Sequence, residues 1–352
     1  MPTNTTAPTP PTALAAALAA ALAMTLASTA TQAQTIPPSY GHDFVTIGAP
    51  GNRGVLPSEA PDWDFGRFGT YGDVGYRYRI TRTEVTNAQY LDFVTTYVAT
   101  PGAFVPFDIL GRGLFVDDFG PGGVPIIKAK PEAVHAPADP PWEFAARYVN
   151  WLHNDKGTRL EDFETGVYDT STFRVDPATG ERMDQMERSP GSRFFLPSFN
   201  ESIKAAHYDP DRYGDGQEGY WYHPGASDDV LVSGPPGTPG AETGAGEQPP
   251  EFLYFSVGQF PDTSGPWGLL DTSGGAQEWT ETVIAPEVPG RLRVLVGSGT
   301  GSSAYMFEDR IDTAFLGRDS HRGFRVASVV PAPGTALVLI VSMTSLSSRR
   351  RK

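Results

Sequence analysis

The run "GPWGLLDTSGGAQEWTE", Gly265 to Glu281, places Asp271 and Glu278 on either side of Gly274, Gly275 and Ala276, with Trp267 and Trp279 as its bulky members. Its glycines allow a tight path and its tryptophans suit a core. On residue types alone it is a scaffold turn in which Glu278, with Asp271, is what could retain a functional role. A second acidic run, "DPDRYGDGQEGYWYHP", has Asp209, Asp211 and Gly214 in the order of a calcium loop. Tyr213 and Tyr220 fall where positions five and twelve of that loop need carboxylates, so a solvated acidic turn is expected. The aromatic group that follows, Tyr220, Trp221 and Tyr222, has the composition of a sugar-stacking or protein-contact surface. Alternate aromatics on a strand would serve core packing equally well.

The six histidines, His42, His135, His153, His207, His223 and His321, are scattered without the spacing of a metal pair. His153 and His207 fall at expected helix ends, where a cation is a routine stabiliser. There is no nucleophile elbow, Walker loop or dinucleotide-binding turn, and no catalytic residue is assigned. The chain holds no cysteine. That removes disulfides, thiolate nucleophiles and Cys-ligated metals together.

Three helices must position these residues. In "TEVTNAQYLDFVTTY", Thr86 and Gln89 have capping-box spacing, and Tyr90, Phe93, Val94 and Tyr97 form one stripe. In "PPWEFAARYVNWLHND", Pro141 suits a first turn, and Trp142, Ala145, Ala146, Val149 and Leu152 line one face. In "LPSFNESIKAAHYDP", Ser198 and Glu201 form a second box and Pro210 ends the helix. "YRYRIT" alternates Tyr76, Tyr78 and Ile80 against arginines, and "FLYFSV", "LRVLV" and "RGFRVAS" are further strands. Residues 224–250 are too rich in Gly and Pro for a core and read as a mobile surface insertion.

The 352 residues include 39 glycines and 33 prolines, which predicts a loop-rich fold with short elements. A net charge of -14 argues against nucleic acid, which needs a cationic face.

The order of these segments resembles the formylglycine-generating enzyme, or sulfatase-modifying-factor, family. "YRITRTEVTNAQYLDFV" carries Glu84, Val85, Thr86, Asn87 and Tyr90 in place, and "FLPSFNESIKAAHYDP" is similar to its L-P-[ST]-x-x-E-W helix, with Ser202 for Trp. "GLLDTSGGAQEWTE" is similar to G-L-x-D-M-x-G-N-V-x-E-W, with Gly275 for Asn, and "RGFRVAS" to the closing G-F-R strand. The resemblance implies an α+β fold, a variant of the C-type-lectin-like fold. In its true enzymes two cysteines after an R-G-G-S-W-like stretch bind copper and activate oxygen. The matching region here is "RVLVGSGTGSSAYMFEDR", without cysteine. No copper is therefore expected, because a serine alkoxide is far too basic to replace a thiolate. The resemblance also implies a calcium ion at the turn, held by Glu278 and the Gly274 and Ala276 carbonyls, with Asp271 nearby.

Both ends read as export signals. Residues 1–34 hold an apolar Ala-rich run and small residues up to Ala33, a secretory signal. Residues 329–352, with Pro331-Ala332-Pro333, a short apolar stretch and Arg349, Arg350, Arg351 and Lys352, resemble the PEP-CTERM sorting tail of Gram-negative bacteria. That resemblance implies transient membrane anchoring, an exosortase-type processing protease, and delivery to the envelope or extracellular matrix. The expected protein is thus an exported module, residues 35–328, that binds envelope polysaccharide or surface proteins without catalysis. The alternative is an oxidoreductase of the same fold with a different metal centre or cofactor.

Overall fold

Two reciprocal capping boxes start the helices that carry the core. In the computed structural model, described over residues 35–61, 69–175, 177–178, 182–247, 254–284, 292–299 and 322–331, Thr86 caps α1 (Asn87–Val98), its hydroxyl accepting from the Gln89 N–H while the Gln89 side chain accepts from the Thr86 N–H. Tyr90, Phe93, Val94 and Tyr97 are all buried. Their side chains fall on one face at three- and four-residue spacing. Helix α2 (Trp142–His153) begins one residue later than expected, with Pro141 as its cap. It is buried almost all round, so Phe144, Tyr148 and Trp151 join the expected stripe. Helix α3 (Leu160–Glu164) was not expected; at five residues it is too short to show a period. Helix α4 (Phe199–His207) carries the second box, with the Ser198 N–H donating to Glu201 at 2.7 Å.

The strands are short, as the glycine and proline content requires. An antiparallel sheet has the order β1 (Phe44–Ile47), β2 (Tyr78–Thr81), β13 (Ala327–Val329) and β7 (Phe194–Phe195). A second sheet centres on β10 (Glu278–Ile284), antiparallel to β11 (Leu292–Val296) and parallel to β12 (Gly323–Phe324). Three hairpin pairs complete the set: β3 (Leu114–Phe119) with β4 (Pro125–Ala129), β5 (Arg174–Val175) with β6 (Arg182–Met183), and β8 (Tyr208–Asp209) with β9 (Gly219–Tyr220). The fold is α+β, with four α-helices, small sheets and long loops among the described residues. All these elements lie within residues 37–330, one compact unit.

Three expectations change. Tyr76 lies outside β2 and is exposed, while Tyr78 and Ile80 are buried as their alternation predicts. Residues 254–256 of the expected "FLYFSV" strand are not in a strand. Tyr254 instead receives the Arg112 guanidinium over its ring at 4.4 Å, so the segment is held by a side chain and not by a ladder. Residues 230–247 are docked, with Leu231, Thr243 and Ala245 buried. The leader and all of the sorting tail after Pro331 lie outside the described residues. Among the described residues, no helix is long and apolar enough to cross a membrane.

Candidate functional site

The Gly274–Trp279 turn is wedged between three segments distant in sequence. Gly274 has φ +88°, and a Cβ there would run into the Thr243 hydroxyl and the Gly244 and Ala245 amides. Only glycine fits that approach. Thr243 Oγ1 donates to the Ser273 carbonyl at 3.0 Å and accepts from the Ala245 N–H at 3.1 Å. This is why the Gly/Pro-rich segment is fixed: its one buried hydroxyl satisfies backbone on both sides. On the other side, Ser273 and Ser298 share a hydroxyl hydrogen bond of 2.9 Å, and the Gly274 N–H donates to the Ser298 carbonyl at 2.6 Å. Ser298 belongs to the stretch that departs from R-G-G-S-W, and here it braces the turn.

Behind the turn stands Glu84, buried at the start of the α1 segment. Its Oε1 accepts from the Ala276 N–H at 3.0 Å. A Cβ on Gly275 would collide with that same oxygen. The carboxylate thus occupies the space next to the turn, which gives a physical reason for glycine where the resemblance expects asparagine. Asp271 sits in the left-handed region at φ +58°, and its Oδ2 accepts from the Gly258 N–H at 2.6 Å. Asp271 and Glu84 border a small cavity with Phe255 and Phe260.

Glu278 opens β10 and is 4% exposed. Both of its oxygens face Arg325 Nε, at 2.8 and 3.0 Å. Arg325, fully enclosed between β12 and β13, gives its other N–H groups to the carbonyls of Thr81, Arg82 and Leu270. Its Nη2 also lies 3.8 Å from Glu84 Oε2. Glu278 and Glu84 therefore face one guanidinium, and the charge of Asp271 acts on it from further off. Burial is the largest influence on all three and raises their proton affinity. Glu278 is pushed up to about 7 even though Arg325 pulls it down. For Glu84, the nearby Asp271 charge adds to the rise.

The expected site residues thus divide. Asp271, Gly274, Ala276 and Glu278 do come together. The Glu278 carboxylate is engaged by the chain's own cation, however, and Asp271 is turned toward the Gly258 amide. Among the described residues no group of three His, Asp or Glu side chains is arranged to hold a metal ion. This donor set fits calcium poorly, because the ion would have to compete with Arg325 for Glu278. Tyr220 is a correction: it is fully buried, and its hydroxyl donates to the Gly72 carbonyl at 2.7 Å, so it cannot form part of a ligand surface. Trp221 and Tyr222 are half-buried at the surface. His153 and His42 take structural places. His153 Nδ1 accepts from the Arg193 N–H at 3.0 Å, and His42 contacts the Tyr148 hydroxyl at 2.9 Å inside the core.

Sequence reasoning missed Arg325 and Thr243 as members of the site. A lone arginine inside the apolar run "GFRVA" was the available signal for the first, since a buried charge needs partners. Ser202, where the resemblance expects Trp, is buried and lines a second small cavity with Ile203, Leu269, Val296 and Glu278.

A family model described as "Sulfatase-modifying factor enzyme 1-like domain" matches residues 73–330. Among curated proteins, none matches the chain. A solved structure entitled "Crystal Structure of CarF" is 16% identical and covers 84% of this chain and 100% of that chain, with a TM-score of 0.44.

Proposed function

The chain belongs to the sulfatase-modifying-factor family, and on that premise we propose that it is a non-catalytic binding or structural module, exported to the cell envelope or extracellular matrix. The observation that carries this reading is the total absence of cysteine. Copper oxidase chemistry of the kind the family resemblance implies needs two soft thiolates, and serine or backbone oxygen cannot supply them at neutral pH. The partners that suit an exported module of this fold are envelope polysaccharide and surface proteins. The sorting tail supports that destination by its resemblance alone.

Two measurements test the reading. Elemental analysis of the purified full chain is expected to find no stoichiometric copper or iron. A stoichiometric redox metal would replace this reading with an oxidoreductase that uses another centre. Thermal unfolding of metal-stripped protein, titrated with calcium and then with extracted envelope polysaccharide, tests binding. A ligand specific for the folded state adds about 2.7 kcal/mol of stability at a hundredfold excess over its Kd. A rise with calcium would require Arg325 to yield Glu278, while no change leaves Arg325 as the resident cation of the turn. Failure of every polysaccharide fraction to shift the midpoint would leave only protein partners or an architectural role.

A further inference from the structure

The loop after α4 builds a rigid aromatic platform at the surface. Tyr213 is 54% exposed, and Trp221 is half-buried beside it. The Arg212 guanidinium lies over both rings, 4.8 Å from each centroid. Asp228 accepts from Arg212 at 2.7 and 2.6 Å and also from the Tyr222 N–H at 3.0 Å. Trp221 Nε1 donates to Asp209 at 3.1 Å, and the Tyr213 hydroxyl donates to Glu59 at 3.2 Å. Both rings are therefore held in place before any partner arrives, and little side-chain freedom is left to lose on binding. The loop itself is closed by its own bonds, from the Asp211 N–H to Asp209 at 2.9 Å and from the Gly216 N–H to Asp211 at 2.6 Å.

The surroundings have one sign of charge. Residues 208–229 contain Asp209, Asp211, Asp215, Glu218, Asp228 and Asp229 against Arg212 as the single arginine or lysine. That arginine is spent on Asp228 and the two rings. Asp211, Asp215, Asp228 and Asp229 are exposed, on a chain whose net charge is -14. Fixed aromatic faces suit the apolar C–H faces of pyranose rings. The acidic rim selects against anionic polymers and for cationic ones.

We propose that the Tyr213–Trp221 surface binds a polysaccharide bearing free amino groups, with sugar rings stacked on the aromatics and ammonium groups facing the exposed Asp211, Asp215 and Asp229. The proposal rests on the polysaccharide-binding reading above and narrows it to one surface and one sugar class.

The test is calorimetric titration of the full chain with three oligosaccharides of equal length: glucosamine oligomers, their fully N-acetylated counterparts and a neutral glucan. The glucosamine oligomer is expected to bind at least tenfold more tightly than either of the others, and to lose affinity at 0.5 M salt as surface charges are screened. Tyr213→Ala removes an exposed ring and is expected to weaken that binding at least fivefold while the protein stays folded at the titration temperature. Asp215→Asn, at an exposed acid, is expected to narrow the preference for the amine. Trp221→Phe retains a ring for the core and checks the second platform. Equal affinity for all three oligomers would overturn the amine preference while leaving a polysaccharide-binding module. Binding that ignores Tyr213→Ala and Trp221→Phe would overturn the surface. No binding by any oligomer would overturn the surface as a site for these sugars, and the envelope-polysaccharide titration above then decides whether the wider polysaccharide reading falls with it.

Discussion

Two buried clusters of opposite charge hold this molecule together, and they are built differently. At the Gly274–Trp279 turn, Glu278 and Glu84 face the single guanidinium of Arg325, which is buried, with Asp271 acting on it from further off. Around residues 184–201, Arg188 serves both Glu201 and Glu281, while Arg293 pairs with Asp184 at 2.7 Å. Arg188 also lies 3.7 Å over the Phe195 ring, and its side chain is 22% exposed. The first cluster ties three backbone segments to one side chain, and water has no access to stand in for it. The second shares its load between two arginines, one of them at the edge of solvent. Burial alone does not set the worth of an ion pair; what matters is what remains when one member is removed.

The sharpest test of that contrast compares Arg325→Ala with Arg188→Ala. Without Arg325, Glu278 loses its partner and the Thr81, Arg82 and Leu270 carbonyls lose this donor, the Arg82 carbonyl keeping the Leu270 N–H. The expected destabilisation in urea unfolding is about 3–5 kcal/mol, the range for breaking a buried pair. Arg188→Ala is expected to cost less, on the order of 1–3 kcal/mol, since water can reach the vacated place. The reverse order would break the comparison.

Proton linkage gives the next test. Burial pushes Glu281 up to about 7, despite Arg188, from an ordinary value of 4.5. The folded state therefore binds more protons than the unfolded state between those values. Stability contributed by Glu281 is full below 4.5, falls as pH rises toward 7, and levels off above. His42, lowered to about 4 by burial, acts in the opposite sense and removes stability as pH falls below 6.5. Comparing Glu281→Gln with the parent at each pH cancels the histidine. The variant is expected to gain on the order of 2 kcal/mol relative to the parent between pH 5 and 8. A flat difference across that range would show that Glu281 is ionised throughout and that Arg188 neutralises it fully.

What the sequence displayed and what it hid follow the distance over which each interaction acts. The capping boxes at Thr86 and Ser198 were legible because partners three residues apart must meet once a helix forms. The G-G-A-Q-E-W turn was legible as a turn for the same local reason. The Arg325 cluster brings Glu84 and Arg325, each from a distant segment, to the Asp271–Glu278 run, and no spacing rule predicts that meeting. Only the incongruous charge in "GFRVA" marked it. Tyr220 and Trp221 are neighbours with opposite fates, one buried and one at the surface. Composition could not separate them, and two-residue alternation does not either, since Gly219 and Tyr220 are both buried and Trp221 and Tyr222 both half-buried. Residues 230–247 misled in the other direction, since their glycines and prolines concealed one threonine that docks the segment.

That threonine provides the finest probe of the turn, which Arg325 holds from within and Thr243 from without. Thr243→Val keeps the shape and removes the hydroxyl, leaving the Ala245 N–H and the Ser273 carbonyl without this partner. The expected cost is about 1–2 kcal/mol, typical of polar backbone groups left unsatisfied. Hydrogen exchange should quicken at the Ala245 amide and through residues 230–247, while the Ala276 amide, bonded to Glu84 from the inner side, keeps its protection. If Ala276 loses protection together with Ala245, the inner and outer braces form one cooperative unit, and the turn depends on the insertion as much as on Arg325.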